Sequence, residues 1–410
     1  MALLLLVVPF SQIPLDAYTP ALPQMVEALQ SGPAVIQNTV TVYMLGMSLA
    51  LVPAGILADA RGRRPVLLAG MALLVAMSFA CAAAPNAPLM LVFRLAQGLG
   101  GAACMVISYA IAADVFRGAR LTAVSGLLGA AWGLAPVIAP AIGGLLVEVM
   151  SWRMIFVLIG VLAALAMAAV AIALPETLAA GRRTPVSLAA TGQIIAATLR
   201  HRAFLCFTLV FTVMASAQLV FGVVAPFLYQ QALGFSPAAY GLAAFLLGGA
   251  TLAGELGCTG LAERVPARRL AFGALAVYGA GTALLLAAGL LHGADVVSLS
   301  LGGALVLAAC GVLCPMMYGM TLGLFTRNIG LIGGLTCAIC YLGVSAAMAT
   351  AAVLPDDTQT PVAGLYVVLG LAAGLLLHGG LPKTARPPGP DSGQREAGPP
   401  PLNNPIKIVP

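Results

Sequence analysis

Three ionisable residues, Asp16, Arg94 and Glu255, lie inside long apolar stretches of the sequence. A charged side chain at membrane depth is costly, so residues of this kind mark candidate functional sites. Asp16 shares a helical face with Gln12 and Thr19, which gives its stretch a polar stripe. A carboxylate placed there can take up a proton on one side of a membrane, release it on the other and compete with a bound cation. We predict that Asp16 is a proton-coupling residue; the alternative is a structural hydrogen bond near the membrane surface.

Glu255 is the second candidate for proton coupling. It lies eight positions before Glu263, which belongs to a polar segment with several arginines. An ion pair between Glu255 and one of those arginines is the alternative.

The composition indicates what must position these residues. Hydrophobic residues make up 61% of the chain and charged residues 8%, whereas soluble proteins carry about 25% charged residues. Such a chain cannot cover a water-facing surface, so its solvent is lipid. The apolar runs, such as 65–84 and 153–174, are continuous rather than alternating, and they are long enough for helices that cross a membrane.

The sequence therefore predicts an all-α membrane protein with twelve transmembrane helices in two pseudo-symmetric six-helix bundles. The predicted organisation is an N-terminal bundle over 1–174, a central cytoplasmic loop over 175–202, a C-terminal bundle over 203–381 and a disordered cytoplasmic tail over 382–410. The predicted spans are 2–22, 37–57, 65–84, 89–114, 121–147, 153–174, 203–228, 238–260, 269–291, 296–325, 330–353 and 362–381.

Basic residues predict the orientation of these spans. With both termini in the cytoplasm, 17 of the 19 lysines and arginines fall on the cytoplasmic side, as the positive-inside rule requires. They lie in short clusters between spans and form no patch, so the net charge of +6 does not indicate a nucleic-acid partner. The predicted partners are the lipid bilayer, a small-molecule substrate and protons, and the protein is expected to be monomeric.

The loop from Gly55 to Pro65 joins the second and third spans. It is predicted to form a charge cluster that breaks and re-forms as helices move, and a fixed topological anchor is the alternative. The members of this cluster are Asp59, Arg61, Arg63, Arg64 and, from the inner end of the fourth span, Asp114.

Small residues recur along the fifth span at steps of three and four, which places them on one helical face. They are Gly126, Gly129, Gly133, Pro136, Pro140 and Gly143. A face without bulk lets another helix approach closely. The eighth span has a similar series and is the predicted partner: Gly241, Ala244, Gly248, Thr251 and Glu255. We hypothesise that this contact seals the outer side, so that leucine at Gly129 and Gly133 abolishes transport; ordinary packing is the alternative.

A cavity for a broad apolar substrate is expected to be lined by methionine, aromatic residues and a few polar groups. The predicted lining is Gln12, Tyr43, Met47, Tyr109, Gln218, Phe221, Tyr318 and Met320. The eight cysteines all fall within predicted spans, without histidine or carboxylate partners, so no metal site is predicted. No phosphate-binding loop is present, and no cofactor is expected.

Several of these motifs resemble those of the major facilitator superfamily. The loop 55–65 resembles the signature between its second and third helices, and the segment 94–100 resembles its fourth helix. The run ending at 140–144 is similar to the antiporter signature of proton-coupled drug exporters. The opening segment, 14–23, is similar to that of the bicyclomycin and chloramphenicol resistance-type exporters. The resemblance implies a role for Arg94 in substrate or proton coupling.

The expected function is proton-driven efflux of drugs or similar amphipathic molecules across the bacterial inner membrane by alternating access. Export of one endogenous metabolite, such as a siderophore or an amino-acid derivative, is the alternative. A membrane-embedded enzyme would need clustered ligands or a nucleophile with its base. The scattered histidines and cysteines argue against it.

Overall fold

Twelve helices long and apolar enough to cross a membrane are found in a computed structural model, which describes residues 1–179, 181, 183, 188–262, 264–355 and 357–380. Spans 1 to 12 are Ala2–Ala28, Pro33–Arg61, Arg63–Ala82, Ala87–Val115, Ala123–Val149, Trp152–Ala173, Arg202–Ala232, Pro237–Leu261, Ala267–His292, Val296–Gly323, Ile329–Ala352 and Thr360–Gly380. The predicted all-α fold with twelve spans is confirmed. The predicted tail over 382–410 and Glu263 lie outside the described residues.

Span 1 is broken into short pieces. Proline lacks a backbone N–H and clashes with the preceding helical turn, and this span contains Pro9, Pro14, Pro20 and Pro23. The pieces are the α-helices Ala2–Val7, Ile13–Asp16 and Leu22–Ala28 and the 3₁₀ turns Val8–Ser11 and Thr19–Ala21. Irregular backbone at membrane depth is tolerated where it is buried in protein or lines a cavity.

Several of the remaining spans begin at a residue that caps the helix. The side chains of Asn86 and Ser236 accept hydrogen bonds from the backbone N–H groups of Leu89, at 3.0 Å, and Ala239, at 3.2 Å. Asp295 caps span 10 in the same way, and the hydrogen bonds that it accepts from Ser298 lower its pKa. These caps fix where the chain re-enters the bundle.

Extensive packing joins spans within each half of the chain. In the first half span 4 packs against spans 2 and 3, and in the second half span 10 packs against spans 7, 8 and 9. Between the halves, span 2 packs against span 11 and span 5 against span 8. Hydrogen bonds cross the first of these contacts, from Ser48 Oγ to Ala338 O at 2.8 Å and from Ser345 Oγ to Thr41 O at 3.3 Å.

A separate helix, Leu188–Leu199, connects span 6 to span 7. It contributes Thr191 and Ile194 to the cavity described below, while Thr198 is buried. The connection between the two halves of the chain therefore forms part of the cavity wall.

Candidate transport cavity

A cavity of about 1180 Å³ lies between the first six and the last six spans. We call the end of the bundle that carries Arg61, Arg63 and Arg64 the basic end, and the opposite end the far end. The lining extends from Asp16 inside the bundle to Asp114 and Asn328 at the basic end. The cavity therefore opens towards the basic end.

Five of the predicted lining residues contribute to the cavity wall: Gln12, Tyr109, Gln218, Phe221 and Tyr318. Three others lie outside it. Tyr43 is fully buried and donates a hydrogen bond to Ser11 O at 2.9 Å, Met47 is fully buried in the core, and Met320 packs against that core.

The structure adds lining residues that were not predicted from the sequence, among them Met44, Trp132, Tyr240 and Tyr341. Met44 is one helical turn from the predicted Met47. The identity of the wall-facing methionine depends on the rotation of span 2, which the sequence pattern does not determine.

The polar stripe of span 1 faces the cavity. Asp16, Gln12 and Thr19 all line it, and all three side chains are buried. Asp16 Oδ2 and Gln12 Oε1 have no hydrogen-bond partner. A buried acceptor without a donor costs free energy, so this site favours a bound proton or a ligand with donor groups.

Arg94 lies behind the wall of the cavity rather than in it. Its guanidinium donates hydrogen bonds to Pro14 O at 2.8 Å, Gln97 Oε1 at 2.6 Å and Thr39 O at 3.2 Å. It also lies 4.5 Å from the ring centroids of Tyr18 and Tyr43.

These contacts hold a fully buried cation close to the backbone that carries Asp16. The two side chains do not form an ion pair with each other, since both ion pairs among the described residues involve Arg63. Arg94 is therefore positioned to act on Asp16 through its charge, without contact.

Glu255 of span 8 also lines the cavity. A methyl group added at Gly133 would lie 3.7 Å from Glu255 Oε2, so the carboxylate faces span 5. Neither ion pair of the described residues includes Glu255. The geometry thus favours the cavity-facing interpretation of Glu255 over the ion pair with an arginine, while its role in coupling stays a prediction.

Spans 5 and 8 are in close contact near the far end. A methyl group at Gly144 would collide with Pro237 O of span 8, whereas one at Gly143 would collide with Ala17 O of span 1. A methyl group at Gly241 would lie 2.9 Å from Pro140 O. The predicted pairing of the two small-residue faces is therefore present, and we call this contact the far-end seam.

The two helices separate towards the basic end. Pro136 and Gly129 line the cavity, and a methyl group at Gly129 would lie 3.7 Å from Tyr109 Oη, an ordinary contact distance. A methyl group at Gly126 would meet nothing within 4 Å. Of the predicted face, Pro140 meets span 8 in the seam and Gly143 packs against span 1, and the gating role stays a prediction.

Two further hydrogen bonds join the halves of the chain near the seam. Glu148 Oε1 accepts from the backbone N–H of Ala238, the second residue of span 8, at 3.1 Å. Gln230 Nε2 donates to Pro20 O, in a 3₁₀ turn of span 1, at 2.9 Å. The far end is closed by close backbone packing and by polar contacts together.

The charge cluster of the loop after span 2 is present. Arg63 Nη1 lies 2.5 Å from Asp59 Oδ1, and Arg63 Nε donates to Asp114 Oδ2 at 2.9 Å. Arg64 lies apart and donates to Ala171 O at 2.6 Å, while Arg61 is exposed. The structure thus joins three of the five predicted members, and their movement during transport stays a prediction.

Glu176 extends this cluster and was not predicted from the sequence. Its carboxylate accepts hydrogen bonds from the backbone N–H groups of Arg63 at 2.9 Å, Arg64 at 3.2 Å and Leu178 at 2.9 Å. Gly62 has a φ of 107°, and any Cβ there would collide with Glu176 Oε2. Burial alone would raise the pKa of Glu176, but these hydrogen bonds outweigh it and lower the pKa below the usual 4.5.

Replacing Glu176 with alanine is expected to lower the melting temperature of the purified protein by a few degrees at neutral pH, because three backbone donors lose their acceptor. A carboxylate with a lowered pKa stabilises the fold above its unfolded pKa and loses that effect as the pH falls through its folded pKa. The difference in melting temperature between wild type and variant should therefore shrink below about pH 4.5. A difference that is constant from pH 7 to pH 3 would contradict this role; Glu27→Ala, an exposed carboxylate, is the control.

Within the described residues, no three histidine, cysteine or carboxylate side chains are grouped so that they could hold a metal ion. Cys314, Cys337 and Cys340 line the cavity as free thiols, and the last two are buried.

Comparisons with known proteins bear on the whole chain. A family model described as Major Facilitator Superfamily matches residues 4–348. The uncharacterized MFS-type transporter YdgK of Bacillus subtilis is 29% identical over 243 residues, which are 59% of this chain and 60% of that protein. The multidrug resistance protein MdtL of Citrobacter koseri is 28% identical over 372 residues, which are 88% of this chain and 91% of that protein. The match to YdgK thus spans about three fifths of its length.

Among solved structures, the crystal structure of a D-xylose-proton symporter superposes with a TM-score of 0.76. It covers 93% of this chain and 98% of the symporter at 15% sequence identity. A similarity at this identity concerns the fold alone.

Proposed function

Because the chain belongs to the major facilitator superfamily, it is a transporter rather than an enzyme, and we propose that it is a proton-coupled exporter of drugs or similar amphipathic small molecules. The proton gradient is the proposed energy source. The two halves of the chain are proposed to rock about the cavity, so that it opens alternately to each side of the membrane.

The observation that carries the proposal is the position of Asp16. Its carboxylate is buried and lines a mostly apolar cavity that is open at one end only. A carboxylate in such a site can bind either a proton or a cationic group of the substrate. Exchange of one for the other couples the movement of protons to the movement of substrate.

The placement of basic residues supports an orientation of the protein in the membrane. Arg61, Arg63 and Arg64 lie at the open end of the cavity, and basic loops are typically cytoplasmic. We therefore propose that this conformation faces the cytoplasm, with both termini inside and the far-end seam on the outer side of a bacterial inner membrane.

The cavity also supports a broad range of substrates. Tyr109, Trp132 and Phe211 contribute aromatic faces, and Met44 and Met105 contribute flexible side chains that adapt to different shapes. The relative named as a multidrug resistance protein, which matches over most of this chain, supports the same substrate class.

The proposal is tested by expressing the protein in a bacterial host that lacks its major drug efflux pumps and measuring susceptibility to a panel of amphipathic drugs. The minimal inhibitory concentration of several drugs is expected to rise at least about fourfold, since a cavity of this composition binds through apolar contact rather than one exclusive pairing. A panel that is unaffected, at confirmed membrane expression, would contradict multidrug export. Export of one endogenous metabolite would then replace it.

A further inference from the structure

The closed end of the cavity has two buried oxygen atoms that lack a donor. Gln12 is 3% exposed and Asp16 is 9% exposed, and both line the cavity. Neither Gln12 Oε1 nor Asp16 Oδ2 has a hydrogen-bond partner. Buried polar atoms of folded proteins are nearly always paired, so an unpaired couple in a cavity wall indicates that a ligand supplies the donors.

The backbone places these two side chains side by side. Asp16 N–H donates to Gln12 O at 3.1 Å, so the residues are one helical turn apart and their side chains share a face. Thr19 Oγ1 donates to the backbone oxygen of Asp16, at 2.9 Å, so this hydroxyl does not satisfy the carboxylate. The two acceptors therefore lie on one face of the span, and both lack a donor.

Charge around the cavity determines which donor fits. The only basic residue of the described lining is Arg63, and it is paired with Asp59 and Asp114 at the basic end. Arg94, behind the wall, directs hydrogen bonds to Pro14, Thr39 and Gln97. No cation of the described lining forms an ion pair with Asp16, so its charge is left for a proton or a cationic substrate to neutralise.

We infer, on the basis of the proposed function, that Gln12 and Asp16 form one acceptor pair that selects substrates with a cationic N–H group, such as a protonated amine, amidine or guanidine. Asp16 supplies the charge and Gln12 supplies the selectivity. A fully N-alkylated cation satisfies the charge but leaves both oxygens without a donor. Sites built to hydrogen-bond a ligand discriminate strongly against an analogue that lacks the donor.

The aromatic wall does not provide this selection. Tyr240 and Trp132 line the cavity, and aromatic faces attract alkylated and unalkylated cations alike. Selectivity between the two kinds of cation must then come from the acceptors, and Gln12 is the uncharged one. Gln12 is therefore a specificity determinant. It affects the ratio of affinities for cations with and without N–H groups more than it affects the affinity for cations in general.

The test is a binding measurement on purified protein in lipid nanodiscs with a matched pair of probes. The probes are a naphthylbutyl ammonium with three N–H groups and its N,N,N-trimethyl analogue, measured by titration calorimetry. Wild type is expected to bind the primary ammonium at least about tenfold more tightly than the trimethyl analogue. This ratio corresponds to the free energy of one hydrogen bond to a charged group. Gln12→Met, which keeps the length of the side chain without its oxygen, should reduce this preference to about twofold or less.

Two further variants complete the test. Asp16→Asn should weaken both probes, because the charge is lost, whereas Gln24→Met, an exposed residue of the same span, should keep the preference. Equal affinity of the two probes for wild type, no binding of either, or a preference that persists in Gln12→Met would each overturn the inference. Binding is measured without a gradient, and efflux of an uncharged dye from proteoliposomes that contain the same purified protein tests the proposed function independently.

Discussion

Asp16→Asn is expected to abolish transport against a gradient while leaving exchange of an uncharged amphipathic substrate across the membrane intact. Asparagine matches aspartate in shape but cannot take up or release a proton, so the buried site stays neutral in every conformation. In proteoliposomes with an imposed pH gradient, accumulation of a cationic dye should fall by about tenfold or more, to the level of empty vesicles.

Exchange provides the control within the same variant. If Asp16 has only a structural role, exchange and accumulation should fall together, whereas loss of coupling removes accumulation alone. Glu27→Gln changes an exposed carboxylate of the same span and should leave both activities unchanged. An Asp16→Asn variant that still accumulates dye and still dissipates the pH gradient would refute the assignment, and Glu255 would become the first candidate.

Gly144→Leu is expected to abolish transport by preventing closure of the far end. Any side chain at this position would collide with Pro237 O, so spans 5 and 8 could not form the seam. The variant should insert into the membrane normally and should be trapped with its far end open. Transport should fall to background, and a cysteine introduced at Ala238 should react faster with a membrane-impermeant maleimide added outside.

The control is leucine at Gly279 of span 9, which is exposed and where an added methyl group would meet no atom within 4 Å. Transport by the Gly279→Leu variant should match wild type. Normal transport by Gly144→Leu, or slower labelling at position 238, would show that the seam is ordinary packing. Leucine at Gly129 and Gly133 is a less specific test, since those positions line the cavity and larger side chains would also obstruct the substrate.

The polar face of span 1 could be predicted from the sequence, whereas its division into short pieces and its end at Ala28 instead of residue 22 were not. The helical spacing of Gln12, Asp16 and Thr19 placed them on one face, and the structure confirms that this face lines the cavity. The pairing of spans 5 and 8 was predicted for the same reason, because close helix packing in membranes depends on small residues at regular spacing. Both features are properties of one or two helices and require no knowledge of their rotation in the bundle.

Other parts of the site depend on information that residue spacing lacks. Tyr43 and Met47 were predicted in the cavity but are buried in the core, since the rotation of span 2 is set by its packing against spans 4 and 11. Gly126 belongs to the predicted face, yet the spans diverge before reaching it. The role of Glu176 was missed because two of its three partners, the backbone N–H groups of Arg63 and Arg64, are far away in sequence, and composition gives no signal for such contacts.

Exchange of substrate for protons can be observed by recording the pH inside proteoliposomes that contain the purified protein, with no gradient imposed. Addition of a cationic amphipathic drug outside should drive protons out of the vesicles as the drug enters, and the signal should be absent in the Asp16→Asn variant. Entry of the drug without proton movement, or with protons moving in the same direction, would contradict proton-coupled export.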